Sequence, residues 1–92
     1  MKAADILRGS LAKLHAYGWI QDEYGDSECG YCSLGAIAAI GLTYAESLEA
    51  SSCLLAATGA ASVDGWNDTP GRTFEEVEAA FLRAIEIAEA DE

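Results

Sequence analysis

Two cysteines separated by two residues are the pair in this sequence best suited to redox or metal chemistry. Cys29 and Cys32 form a C-x-x-C motif just ahead of a helix that we predict to begin at Ser33. A helix N-terminus stabilises a thiolate and lowers the pKa of a nearby cysteine, which makes a dithiol redox site one hypothesis. Against it, no βαβ unit surrounds the motif, and the acidic residues just upstream oppose a thiolate.

A zinc site is a second hypothesis for the same cysteines. Structural zinc takes four nitrogen or sulfur ligands, and the two further candidates are Cys53 and His15. The set Cys29, Cys32, Cys53 and His15 would require the first helix, the following loop and the third helix to converge. The alternative is that Cys32 and Cys53 are buried as small apolar residues, while Cys29 lies in a loop and His15 is a favourable cation near a helix C-terminus.

The segment Trp66-Asn67-Asp68, with Arg72 shortly after it, is the second cluster with functional residue types. An exposed tryptophan flanked by polar groups is typical of a binding hot spot. The structural alternative, which we favour, is that Trp66 anchors a tight turn in the core. Asn67 or Asp68 would then form an Asx-turn, and Arg72 would pair with Asp68 or Asp64.

The acidic charge is large and unevenly distributed. The net charge is −11. Residues 1–21 carry three basic residues and one acidic residue (net +2), whereas residues 22–92 carry 2 basic and 15 acidic residues (net −13). Such a charge repels nucleic acid phosphates and anionic membranes. It serves solubility, or it recognises a protein partner with a basic surface.

Two regions are predicted to carry that recognition. One is the acidic loop around residues 22–28, and the other is the outer face of the last helix, which contributes Glu75, Glu78, Glu86 and Glu89. The sequence contains no nucleophile elbow, H-E-x-x-H motif, P-loop or dinucleotide-binding motif. We therefore predict a non-enzymatic interaction protein without a cofactor, and a thiol-redox or zinc-binding domain is the alternative.

Helical periodicity predicts an all-α fold. Ala3, Leu7, Leu11 and Leu14 recur at helical spacing, and Gly18 is placed to end that helix. Two sequences that fit the capping box, Thr43 to Glu46 and Thr73 to Glu76, mark the starts of two further helices. Tyr44, Leu48, Ser51 and Leu55 mark one face of the third helix. The prediction is a compact bundle of about four helices over residues 3–17, 33–40, 44–57 and 73–90, with Ser33 capping the second.

The length of 92 residues predicts a single domain over residues 1–92. No targeting segment is visible, and the apolar stretch Leu34–Leu42 is too short to span a bilayer. The odd number of cysteines, three, argues against a disulfide framework. These features predict a cytoplasmic protein.

Several elements, in order along the chain, resemble a family of small actinobacterial and actinobacteriophage proteins known as a domain of unknown function. They are Gly18-Trp19, Cys32-Ser33-Leu34-Gly35-Ala36-Ile37, Trp66-Asn67-Asp68-Thr69-Pro70-Gly71-Arg72-Thr73 and Glu76-Val77. Cys29 does not match the pattern of that family, which weakens the redox and zinc hypotheses. The resemblance implies an actinobacterial or phage origin and implies no activity.

Overall fold

Helices form most of the chain in a computed structural model that describes residues 1–41 and 43–91. Leu42, the last residue of the apolar stretch noted above, and Glu92 lie outside the described residues. In chain order the elements are α1 (Ala3–Tyr17), β1 (Gly25–Asp26), β2 (Gly30–Tyr31), α2 (Ser33–Ile40), α3 (Tyr44–Thr58), α4 (Val63–Asn67) and α5 (Phe74–Ala90). None of the described helices is both long and apolar enough to cross a membrane.

The chain is mostly helical, so the predicted all-α fold is confirmed apart from one short pair of strands, and the described residues contain one helix more than predicted. The ranges of α1 and α2 are as predicted, and α3 and α5 differ from their predicted ranges by one residue. The additional helix, α4, contains Trp66 and Asn67, for which the sequence predicted a tight turn. It forms because the Ser62 hydroxyl caps it by accepting the Gly65 N–H at 3.1 Å.

A small antiparallel hairpin made by β1 and β2 begins within the predicted acidic loop and ends just after it. Gly25 and Gly30 have positive φ angles of 83° and 95°, which other residues seldom adopt. The Asp26 carboxylate accepts the backbone N–H groups of Glu28 and Cys29 in the turn. Strands of two residues are too short to show an alternating apolar pattern, so the sequence periodicity does not predict them.

The core lies between α1, α3 and α5, and α2 closes it. The apolar side of α5 faces this core, because Val77, Phe81, Ile85 and Ala88 are buried and Phe74 is half-buried. The largest fully buried side chains are Phe81, Ile6, Leu7, Leu14, Ile37, Leu54 and Val77.

The apolar face predicted for α3 is not the face that meets the core. Tyr44 and Leu48 have relative exposures of 82% and 51%, whereas Ala50 and Leu54 are the buried residues of this helix. The sequence of α3 carries two partly apolar faces, and its periodicity does not say which of them packs against α5. The small Ala50 side chain allows the helices to pack closely, and Tyr44 and Leu48 are left at the surface.

Helix caps follow local sequence with two corrections. The Thr73–Glu76 capping box is formed, with the Thr73 N–H donating to the Glu76 carboxylate at 2.9 Å. At α3 the Thr43 hydroxyl accepts the Glu46 N–H at 3.1 Å, but the Glu46 carboxylate contacts the N-terminal ammonium group. Cys32, rather than the predicted Ser33, caps α2, because its Sγ accepts the Gly35 N–H at 3.2 Å.

Candidate functional site

Asn67 connects three distant parts of the chain and is almost completely buried, at 1% exposure. Its Oδ1 accepts hydrogen bonds from Trp19 Nε1 at 2.7 Å and from the backbone N–H and the hydroxyl of Ser33 at 2.9 and 2.7 Å. Its Nδ2 donates to the Ile20 carbonyl at 3.2 Å and to Asp68 Oδ1 at 2.9 Å. The predicted Asx-turn is therefore wrong, since the Asn67 amide hydrogen-bonds mainly to distant residues and Asp68 Oδ1 accepts the Asn67 amide and the Asp22 N–H. Asn67 holds α4 against the segment after α1 and the start of α2.

Asp68 and Gln21 extend this network to the surface. The Asp68 carboxylate also accepts the Asp22 N–H at 2.8 Å. The Gln21 amide donates to the carbonyls of Asn67 and Thr69 at 3.0 and 2.9 Å. Asp22 has a positive φ of 73°, a conformation that aspartate tolerates better than most residues. The segment from Trp19 to Asp22 is thus fixed to α4 by both backbone and side-chain contacts.

Arg72 packs on Trp66 instead of pairing with Asp68 or Asp64, so that prediction is wrong. Its guanidinium lies 4.2 Å from the centre of the Trp66 ring, and its Nε donates to the Trp66 carbonyl at 2.9 Å. Its Nη1 also lies 3.3 Å from the Glu76 carboxylate. A planar guanidinium can stack on a ring and donate from its edge at the same time. Trp66 is half-buried beneath it, which fits the structural alternative for this segment.

Two of the four α5 glutamates predicted for binding take part in ion pairs with arginine within the chain, and a third contacts His15. Glu78 lies 2.7 Å from His15 Nε2, Glu89 contacts Arg8, and Glu86 lies 3.7 Å from Arg83. Glu75 is exposed and forms no ion pair in the part of the chain that the structure describes. The charge of this face is partly compensated, which reduces its attraction for a basic partner.

The segment before β1 and the segment around α4 place four other acidic residues around a small cavity of 140 Å³. We call this cavity the acidic pocket, and it is lined by Asp22, Glu23, Tyr24, Cys32, Asp64 and Asp68. Among the described residues, no basic group forms an ion pair with any of these four carboxylates. The acidic pocket therefore concentrates uncompensated negative charge from two segments more than forty residues apart in sequence.

An open apolar groove lies between α2 and α3 on the other side of Tyr24. We call it the α2–α3 groove. It has a volume of about 500 Å³ and is lined by Tyr24, Leu34, Ile37, Ala38, Gly41, Thr43, Tyr44, Ser47, Leu48 and Ser51. Tyr24, Tyr44 and Leu48 are three of the large apolar side chains that the described chain exposes. None of the lining residues carries a charge.

Tyr24 lines both cavities and is held in place by its backbone. Its carbonyl accepts the Cys32 N–H at 3.1 Å. The same carbonyl lies so close to α2 that a Cβ at Gly35 would sit 2.0 Å from its oxygen. Only glycine at position 35 allows this approach. The contact fixes the hairpin against α2 and so sets the spacing between the α2–α3 groove and the acidic pocket.

The surroundings of the cysteines give little support to the redox site predicted as the alternative. All three are free thiols, and Cys29 is exposed whereas Cys32 is buried. Burial raises the pKa of the Cys32 and Cys53 thiols. A backbone hydrogen bond to Asp26 lowers the pKa of Cys29, but the Asp26 side chain and the nearby Glu23 carboxylate contribute to a net rise. Raised thiol pKa values oppose the thiolate that redox chemistry needs.

The zinc ligand set is not assembled either. His15 contacts Glu78 and packs edge-on against Phe74 at 5.2 Å between ring centres, while Cys32 caps α2. Across residues 1–41 and 43–91, no group of three or more His, Cys, Asp or Glu side chains is arranged to hold a metal ion. The geometry thus gives the zinc hypothesis no support.

Comparison with known proteins gives a family and no activity. A model of a family of unknown function, DUF6197, matches residues 1–87. The chain belongs to this family. No curated protein and no solved structure matches it significantly. The actinobacterial or phage origin inferred from sequence motifs stays a prediction.

Sequence reasoning missed two residues of this region, Tyr24 and Asp64. Tyr24 is an aromatic residue inside a strongly acidic loop, and that contrast was the available signal. Asp64 was considered only as a partner for Arg72. Its position near Asp22 and Glu23 depends on the long-range hydrogen bonds of Asn67, and no local sequence pattern predicts those bonds.

Proposed function

We propose that this family member is a non-enzymatic protein that binds a partner protein through an acidic surface, and that the acidic pocket is the centre of that surface. The observation that carries the proposal is the convergence of Asp22, Glu23, Asp64 and Asp68 without a compensating basic group among the described residues. Like charges held together repel one another and destabilise the folded state. A basic partner relieves that repulsion when it binds.

The acidic pocket supports this proposal better than the α5 face does. Glu86 and Glu89 already have cationic neighbours in the chain and Glu78 contacts His15, whereas no pocket carboxylate forms an ion pair among the described residues. The charge also disfavours nucleic acid as the partner, since phosphates would be repelled. If the chain is phage-encoded, which is one of the two origins that the sequence resemblance implies, the partner is a host protein.

The test compares two doubly neutralised variants with the same change in net charge. Glu23→Gln with Asp64→Asn alters the acidic pocket, and Glu75→Gln with Glu86→Gln alters the α5 face. Tagged proteins are incubated with a lysate of the organism that encodes the chain, and captured proteins are identified by mass spectrometry. Circular dichroism checks that each variant is folded.

We expect the wild type and the α5 variant to capture a partner protein in stoichiometric amount. The pocket variant should not capture it. Capture should weaken as salt rises from 0.05 to about 0.5 M, because ions screen exposed charges. Loss of capture in the α5 variant alone would move the binding surface to α5. A failure of the wild type to capture any partner at low salt would leave solubility as the role of the acidic charge and would contradict the proposal.

A further inference from the structure

We propose that the α2–α3 groove and the acidic pocket act as one binding site for a basic amphipathic segment of a partner protein. An apolar side chain of that segment lies in the groove, and an arginine or lysine next to it enters the pocket. This inference rests on the proposed function and adds the chemistry of the ligand and the residues that read it.

The groove supplies the apolar half of the site. Tyr44 and Leu48 rise on one wall with exposures of 82% and 51%, and Leu34 and Ile37 of α2 contribute to the lining. A concave, mostly apolar groove with a few polar groups is typical of a binding site. The hydroxyl groups of Thr43, Ser47 and Ser51 at the same groove can hydrogen-bond to a peptide backbone.

The pocket supplies the charged half. Its volume of 140 Å³ equals that of about four to five water molecules at the roughly 30 Å³ each occupies in the liquid. That space suits the head of a cationic side chain rather than a whole residue. Carboxylates bind a guanidinium group especially well because their two oxygens can accept two parallel hydrogen bonds from its N–H groups. Four carboxylates at one small cavity therefore favour arginine or lysine.

Tyr24 makes the two halves a single site. It lines both cavities, and its backbone is fixed by the Cys32 N–H and by the close approach of Gly35. A fixed spacing means that a ligand must present its apolar and cationic groups at a matching spacing. A segment that these contacts already hold in place loses less conformational freedom on binding, which favours affinity and specificity.

Charge excludes the obvious competing occupants of the groove. A second copy of this chain would bring another net charge of −11 to the same surface. An apolar peptide without a cation would leave the pocket carboxylates unpaired and partly desolvated, which is unfavourable. A segment that combines one apolar anchor with a neighbouring cation satisfies both cavities.

The experiment is a selection of random twelve-residue peptides displayed on phage against the wild-type protein. The most enriched peptide is then synthesised with a fluorescent label, and its affinity is measured by fluorescence anisotropy. Three doubly substituted proteins are compared: Tyr44→Ala with Leu48→Ala in the groove, Glu23→Gln with Asp64→Asn in the pocket, and Glu75→Gln with Glu86→Gln on α5 as the control of equal charge change. Circular dichroism confirms that each is folded, which the exposure of these side chains favours.

We expect the peptides enriched by the selection to share an aromatic or aliphatic residue at a fixed distance from an arginine or lysine. The groove and pocket variants should each weaken binding by about tenfold or more, as loss of a hot-spot contact does, and the α5 variant should not. Replacing the peptide cation by glutamine should weaken binding to the wild type and leave binding to the pocket variant nearly unchanged.

The outcomes of this experiment distinguish a failure of this inference from a failure of the proposed function. Peptides that need the pocket carboxylates but bind the groove variant normally would overturn the inference and leave the proposed acidic surface in place. Peptides that bind all variants equally, or self-association of the wild type in sedimentation experiments, would overturn both.

Discussion

Replacing Asn67 with alanine is expected to destabilise the protein more than any other single polar substitution near the site. The change removes the acceptor shared by Trp19 Nε1 and the backbone N–H and hydroxyl of Ser33. The Ser33 hydroxyl can rotate, but its N–H cannot, and Ser33 is fully buried. A buried donor left without an acceptor costs about 1–3 kcal/mol. With Trp19 only partly able to reach water, we expect a loss of about 3 kcal/mol.

That loss is a large share of the total, because small domains unfold at a cost of about 5–15 kcal/mol. The assay is urea denaturation, followed by circular dichroism at 222 nm and by tryptophan fluorescence. Gln21→Ala is the matched control, since the Gln21 amide donates to two nearby carbonyls from a half-buried position. It should cost under about 1 kcal/mol. An Asn67→Ala protein within 1 kcal/mol of the wild type would refute this account.

Substituting aspartate for Asn67 tests the direction of the hydrogen bonds. The new side chain keeps an acceptor for Trp19 and Ser33 but places an oxygen where Nδ2 donates to Ile20 and Asp68. Burial and the Asp68 charge would raise the pKa of the introduced carboxyl above its unfolded value of about 3.9. A group whose pKa is higher in the folded state must lose its proton in the buried site as pH rises, which destabilises the fold. The stability of the Asn67→Asp protein should therefore fall as pH rises from about 4 to 7. A deficit independent of pH would contradict the assignment of Nδ2 as the donor.

Two further predictions concern the hairpin and the cap of α2. The Asp26 carboxylate accepts backbone N–H groups of Cys29 and Glu28, which lowers its pKa. A carboxyl group whose pKa is lower in the folded state stabilises the fold above its unfolded pKa, and this stabilisation is lost as pH falls through the folded pKa. In urea melts, Asp26→Asn should therefore lose less stability than the wild type between pH 6 and pH 3. An equal loss in the two proteins would argue against this role of Asp26. Cys32→Ser should keep the unfolding free energy within about 1 kcal/mol, because serine is also a good N-cap for the Gly35 N–H, and a larger loss would show that the sulfur itself is needed.

Local sequence determined most of the helices of this protein. Apolar spacing and Gly18 set the limits of α1, and the Thr73–Glu76 capping box sets the start of α5. These signals act within one or two helical turns, so they are readable without knowledge of the rest of the chain. The short hairpin escaped prediction because each strand has two residues, too few to show an alternating pattern.

Tertiary structure alone decided where the polar and apolar surfaces meet. Asn67 hydrogen-bonds to Ser33, which is 34 positions away in sequence, and to Trp19, which is 48 positions away. No rule of sequence spacing links residues that distant. Likewise, α3 has two faces that could pack, and only its position against α5 leaves Tyr44 and Leu48 exposed beside Tyr24. The composition fixed the net negative charge, but the fold chose which carboxylates have cationic neighbours. Helix formation depends on neighbours in sequence, whereas the site depends on contacts between segments that meet only after the chain has folded.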